Sequence, residues 1–168
     1  DYYKLTNIAI GILDVNGTVL VHTGWQDICV KFHRVHPETL KNCIEADTEL
    51  SKGVKQGEFK LYKCKNNMWD MSTPIIIGGQ HLGNIFFGQF FFKNEVPDRN
   101  VFIQQAQQYD YNQKEYLNAL DKVPSFSRET VEIAMSFYSK FASKIAELGY
   151  SNIKLARTLN KNGNSKKN

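Results

Sequence analysis

Three cysteines and one histidine carry the most reactive side chains of this sequence. Cys29 and His33 stand four residues apart, a spacing that puts both on one face of a helix. With Cys43 and Cys64 they form a set of three sulfurs and one nitrogen, suited to a metal ion or an iron–sulfur cluster. No C-x-x-C pair occurs, however, and only Cys29 and His33 share an element. A free buried cysteine usually behaves as a small hydrophobe. The Cys29–His33 pair could also form an activated nucleophile, with Asp47 or Asp70 orienting the imidazole. No nucleophile elbow, phosphate loop or paired acid/base motif accompanies it, so no catalytic residue is assigned. The glycine-rich GGQHLG at 78–83 lies between strand-forming runs rather than ahead of a helix. His22, His36 and His81 are isolated and suit turns or solvated surface.

A different chemistry sits in the most apolar stretch, YKCKNNMWDMSTPIIIGGQHLGNIFFGQFFF at 62–92. Asp70 and Gln89 interrupt strand-forming runs there, with Cys64 and Trp69 nearby. A carboxyl and a carboxamide in an aromatic, water-poor setting need partners. A small polar ligand is one such partner. Trp25, Tyr62, Trp69, Phe90 and Phe91 offer aromatic walls, and Asp70, Gln89 and the thiols of Cys29, Cys43 and Cys64 offer polar handles. Ligand pockets have this composition, although most of these aromatics would also serve a plain core.

The elements that must position these residues follow from period and turn chemistry. Apolar alternation on either side of Val15-Asn16-Gly17 predicts strands over 8–14 and 18–23, joined as a hairpin. Gly24 breaks the second strand. Trp25, Cys29 and Phe32 recur at helical spacing over 25–33. Pro37 suits the first turn of a second helix running to about Leu50, with Leu40, Cys43, Ile44 and Asp47 at its inner edge. Residues 51–58 read as a loop. Strands follow over 59–64, 68–77 and 80–92, the last two joined by Gly78-Gly79, because glycine takes positive φ without steric cost. After Pro97, with Asp98 as N-cap, two short helices carry Val101, Phe102, Ala106 and Tyr109, then Tyr116, Leu117 and Leu120. Ser127 caps a long helix with Glu129 in its first turn.

That helix carries a heptad seam of Val131, Ala134, Tyr138, Phe141, Ile145, Leu148, Asn152, Leu155 and Leu159, with Gly149 as an interruption. Its first half suits packing on the sheet. Its later half suits pairing with a second copy. The result is an α+β domain with a five-stranded antiparallel sheet, flanking helices and a long C-terminal helix. Helices between the second and third strands give it the PAS-type plan. We divide the chain into a sensor core at 1–126, a signalling or dimerisation helix at 127–159 and a basic linker tail at 160–168.

Composition narrows the function. Of 168 residues, 42% are hydrophobic and 12% aromatic, enough for a packed core. No apolar run is long enough to span a membrane. The net charge of +4 is exceeded by the five basic residues from Lys154 onward, so the body of the domain is near neutral and no nucleic-acid face is expected. Asp1 opens directly into fold-forming sequence. We therefore expect no secretory signal, a piece of a longer protein, and a cytoplasmic location with free thiols. An odd number of cysteines cannot pair fully within one chain.

The motifs G-W-Q-D-x-C at 24–29, F-H-R at 32–34, the Cys43 helix ending in Asp47, Y-x-C at 62–64 and P-I-I-x-G-G-x-H-L-G-N-x-F-x-G-Q-F-F-F at 74–92 resemble the PocR sensory domain. The similarity runs from about Ile8 through the FSRE segment at 126–129 into the last helix. Where that family usually shows Asn-Gly-Leu, this chain has Asn67-Met68-Trp69. The resemblance implies a PAS-like fold and a non-catalytic sensory role, with small hydrocarbon derivatives such as diols as ligands. By motif position it implies ligand contacts from Trp25, Cys29, Cys43, Tyr62, Cys64, Asp70 and Gln89, to which the aromatic reading adds Phe91. It implies an output domain in the same chain: a histidine kinase of a two-component system, a cyclic-dinucleotide enzyme or a DNA-binding transcription regulator. A homodimer is the expected assembly. No cofactor is expected, with two readings held beside this one: a metal, iron–sulfur or redox sensor using Cys29, His33, Cys43 and Cys64, and a dimerisation module alone.

Overall fold

The computed structural model describes residues 2–49 and 52–164. A short helix α1 (Tyr2–Thr6) leads into the hairpin β1 (Ala9–Asp14) and β2 (Val19–Thr23). The Asp14 carboxylate closes the hairpin turn by accepting from the Asn16 and Thr18 amides at 2.9 and 2.8 Å. Gly17 takes the positive φ of 82° that the turn requires. A turn of π-helix (Cys29–His33) and the helix α2 (Pro37–Thr48) come next. Leu50 and Ser51, the expected helix end and loop start, lie outside the described residues. Then come β3 (Lys60–Lys63), β4 (Trp69–Ile77) and β5 (Gln80–Phe92), followed by α3 (Arg99–Gln108), α4 (Gln113–Leu120), a two-residue strand β6 (Ser125–Phe126) and α5 (Arg128–Asn164).

The strands lie in the order β2-β1-β5-β4-β3, each neighbour antiparallel. β6 adds a sixth, parallel to β5 at Phe91 and Phe92, where only a five-stranded sheet was expected. The π turn and α2 fall between β2 and β3, so the α+β, PAS-like arrangement holds. Both faces of the sheet are covered, which is why β5 reads as a nearly unbroken apolar run. One face packs Leu13, Tyr62, Cys64, Phe86 and Phe91 under Ile28, Cys29, Phe102 and Tyr116. The other packs Met71, Ile85, Phe87, Phe90 and Phe92 against Val131, Ala134, Met135, Tyr138 and Ala142 of α5.

The caps expected at Asp98 and Ser127 form, and Asn112 supplies a further one. Asp98 accepts from the Asn100 amide, Asn112 from Glu115 and Ser127 from Thr130. His36, expected in a turn or solvated, is the cap of α2 and accepts from the Glu38 amide. On α2, Thr39, Cys43, Ala46 and Asp47 face inward, whereas Ile44 is exposed.

The α5 seam divides in two. Val131, Ala134 and Tyr138 are buried, but the inner stripe then continues through Ala142 and Ala146 rather than through Phe141 and Leu148, which are exposed. Gly149 allows close approach to the sheet: a β-carbon there would come 2.8 Å from Ile77 Cδ1, at the tip of the β4–β5 hairpin. From Ser151 to Leu159 every residue is exposed. The helix also runs on through Asn164, past the expected start of a linker at 160. The remainder of that tail, 165–168, lies outside the described residues. No helix among the described residues is long and apolar enough to cross a membrane.

Candidate functional site

The site is built on an irregularity in the sheet. Asp70 pairs with Gly88 and Trp69 with Phe90, which leaves Gln89 as an extra residue in β5. Its φ of 64° lies in the left-handed region, uncommon for a side chain of this kind. Such bulges re-aim side chains. Gln89 turns toward the helix-covered face, where its Oε1 accepts from the Gln26 backbone N–H at 2.5 Å. Its own N–H donates to Asp70 Oδ1 at 3.2 Å.

Tyr62 lies directly across the β3–β4 pair from Asp70. Its hydroxyl is buried and has no hydrogen-bond partner among the described residues. The second Asp70 oxygen and the Gln89 Nε2 group also make no hydrogen bond among the described residues, and Asp70 is half-buried. Three polar groups on adjacent strands therefore keep hydrogen-bonding capacity unused. Enclosure by protein pushes the Asp70 carboxyl well above the usual carboxylate range, with Asp47 reinforcing the shift and Arg34 opposing it. Burial, reinforced by Asp70, also raises the Tyr62 phenol.

The three cysteines are free and buried, and gather around this point. Burial, then the Asp70 carboxylate, raise Cys29 and Cys64. Burial pushes Cys43 up to about 11 against the pull of Arg34. All three are neutral thiols. Cys43 is held by Asn66, whose Nδ2 donates to its sulfur at 3.3 Å and to the Thr39 carbonyl at 3.1 Å. Arg34 and Asp47 form an ion pair of 2.6 Å, with side chains 18% and 9% exposed. The guanidinium also lies 4.5 Å from the centre of the Trp25 ring. Trp25 itself is half-buried over Gly11, where a β-carbon would meet its Cζ2 at 2.8 Å.

Cys29, Cys43, Tyr62, Cys64, Asp70 and Gln89 are thus brought together, with Trp25 beside them through Arg34. Phe91 is on the same face but packs edge-on against Phe102. Trp69 and Phe90, expected as walls, are not there. Both lie on the α5 side, and the Trp69 indole N–H donates to Glu95 at 2.8 Å. The bulge is the cause for Phe90, because one extra residue reverses the facing of everything beyond it; Trp69 precedes Asp70 on β4 and faces the other way by simple alternation.

His33 Nδ1 is 3.9 Å from Cys29 Sγ, but Nε2 is bonded to the Tyr116 hydroxyl at 2.7 Å. Among the described residues no three His, Cys, Asp or Glu side chains converge to hold a metal ion, so Cys29, His33, Cys43 and Cys64 are not assembled as a ligand set. Nor is the Cys29–His33 pair an activated nucleophile. Burial lowers His33 to about 3 and raises Cys29, which disfavours both charged partners. The expected orienters, Asp47 and Asp70, are replaced by Tyr116, which itself donates to Gln105.

Arg34, Asn66 and Gln26 were not singled out from the sequence. Arg34 lies in the quoted F-H-R motif, and an arginine thirteen residues before the helical Asp47 was the available signal for the ion pair. Gln26 lies in the quoted G-W-Q-D-x-C motif, but it meets Gln89 through its backbone, which no side-chain pattern signals.

The family model described as the sensory domain found in PocR matches residues 1–150. Regulatory protein PocR of Salmonella typhimurium (strain LT2) is 25% identical over 137 residues, covering 78% of this chain and 43% of that protein. The chain spans less than half the length of this curated relative. With the motifs on the strands and turns described, and the model covering nearly all of the fold, the chain belongs to the family of sensory domains found in PocR.

Proposed function

We propose that this domain senses a small uncharged molecule carrying hydroxyl groups, a short diol or alcohol, held between the sheet and the π turn and α2. One observation carries the reading: Asp70, Tyr62 and Gln89, on three adjacent strands, keep hydrogen-bonding groups unused. Buried polar groups are stable when something satisfies them. Burial favours the protonated form of Asp70, which can donate and accept, the Gln89 amide donates, and Tyr62 does either, which matches paired hydroxyls. The surroundings are neutral, since the thiols are un-ionised and Arg34 is matched by Asp47. Neither a carboxylate nor an ammonium ligand would find a counter-charge.

Binding shifts an output only through a difference in affinity between two states. β4 and β5 hold the site at one end and the Gly78-Gly79 turn at the other, beside Gly149 and Tyr150 of α5. Ligand contact with the bulge moves this hairpin, and α5 carries the change to an output domain of the same cytoplasmic protein: a histidine kinase, a cyclic-dinucleotide enzyme or a DNA-binding regulator. Phe141, Leu148, Leu155 and Leu159 pair with those of a second copy, with Asn152 setting the register. Calorimetry with 1,2-propanediol and related diols tests the site. Asp70→Ala and Gln89→Gly are each expected to weaken binding tenfold or more, on the order of one charge-free hydrogen bond plus a desolvated partner. Thermal unfolding shows whether each variant folds. Unchanged affinity in both folded variants would remove this pocket from consideration.

A further inference from the structure

We infer that Tyr3, on α1, is a positioning residue that decides which end of the Gln89 carboxamide faces the ligand; this rests on the Asp70–Gln89 reading above. Three hydrogen bonds connect the two places. The Tyr3 hydroxyl accepts from Gln26 Nε2 at 3.2 Å. The Gln26 backbone N–H donates to Gln89 Oε1 at 2.5 Å. The Gln89 N–H donates to Asp70 Oδ1 at 3.2 Å. Gln26 has little freedom between them: its Nε2 also donates to the Gly24 carbonyl at 2.9 Å, and the residue is buried.

The Tyr3 ring adds a second hold. It lies flat against Gly24, whose φ is 71° and where any β-carbon would overlap the ring. Residues 24–26 are thereby clamped between α1 on one side and β5 on the other. The consequence for recognition is chemical. A carboxamide has a donor end and an acceptor end of almost equal size. With the Gln26 amide fixed on Oε1, only Nε2 is free for the ligand. If residues 24–26 drift, the carboxamide can rotate and present oxygen instead, which exchanges a donor for an acceptor opposite a bound hydroxyl.

Tyr3→Phe separates the two holds, because it keeps the ring on Gly24 and removes the hydroxyl. In ligand-free protein, amide hydrogen exchange at Gln26 is expected to be faster than in wild type. Affinity for 1,2-propanediol is expected to fall about three- to tenfold, the range for one hydrogen bond. In a Gln89→Gly background the same change is expected to add nothing, since the two act as one unit. Unaltered exchange at Gln26, or a loss of affinity that adds fully to that of Gln89→Gly, would overturn the inference. If wild type binds no diol, the ligand reading fails by itself, and the exchange comparison still decides whether Tyr3 holds residues 24–26.

Discussion

The Asp70 carboxylate lies over the α-carbon of Gly88, so closely that a β-carbon at residue 88 would overlap Oδ1. The two residues are cross-strand partners on β4 and β5. The glycine is what allows a carboxyl to lie flat on the sheet and reach the Gln89 amide. The loss of one side chain on β5 thus makes room for a polar group on β4.

Gly88→Ala is therefore expected to destabilise the domain by about 1–3 kcal/mol, the usual range for overpacking a core. Removing the carboxylate as well should recover most of that loss. Urea denaturation of Gly88→Ala, Asp70→Ala and the double variant measures the coupling. Additive losses would mean that the two residues do not meet.

The raised Asp70 carboxyl has a definite pH signature. The folded protein keeps this proton where the unfolded chain, near the ordinary value of 3.8, releases it. The native state then binds more protons, so stability is fully present below that value and declines as pH rises toward the native pKa, by at most about 1.4 kcal/mol per pH unit for one group. Asp47, also raised by burial despite Arg34, acts in the same direction. The decline in urea midpoint with pH should accordingly be shallower in Asp70→Asn than in wild type, not absent. Identical slopes would show that Asp70 ionises normally.

The thiols should be unreactive in the folded protein. Cys29, Cys43 and Cys64 are buried and raised, and only the thiolate attacks. At pH 8 an aromatic disulfide reagent should label all three at least roughly a hundredfold more slowly in buffer than in denaturant, with opening of the fold as the limiting step. Rapid labelling of one thiol in buffer would favour the redox reading.

The exposed half of the α5 seam predicts a dimer. Leu148, Leu155 and Leu159 are each about three-fifths exposed in the single chain, a poor arrangement for an isolated helix in water. Sedimentation should show wild type as a dimer and Leu155→Asp as a monomer. Because Leu155 lies beyond the sheet, thermal unfolding of the sensor core should change by no more than about 0.5 kcal/mol. A monomeric wild type at micromolar concentration would count against α5 pairing.

Much of the layout was legible from local chemistry. Asn16-Gly17 placed the first hairpin, Gly78-Gly79 the second, and Asp98 and Ser127 the helix starts, because turns and caps are settled within a few residues. Asp70 and Gln89 stood out as polar residues in apolar runs, and the motifs around them marked the family. What the tertiary structure decided was which way side chains face and whom they meet. A period of two assumes no extra residue, so the bulge at Gln89, with its positive φ, moved Phe90 to the α5 face. Tyr116 took His33, and Asn66 took Cys43, through contacts that span 83 and 23 residues of chain. The Gln26 amide is like every other backbone amide until folding brings it against a side chain 63 residues away. Partners of that kind are chosen by packing, and packing does not exist until the chain has closed on itself.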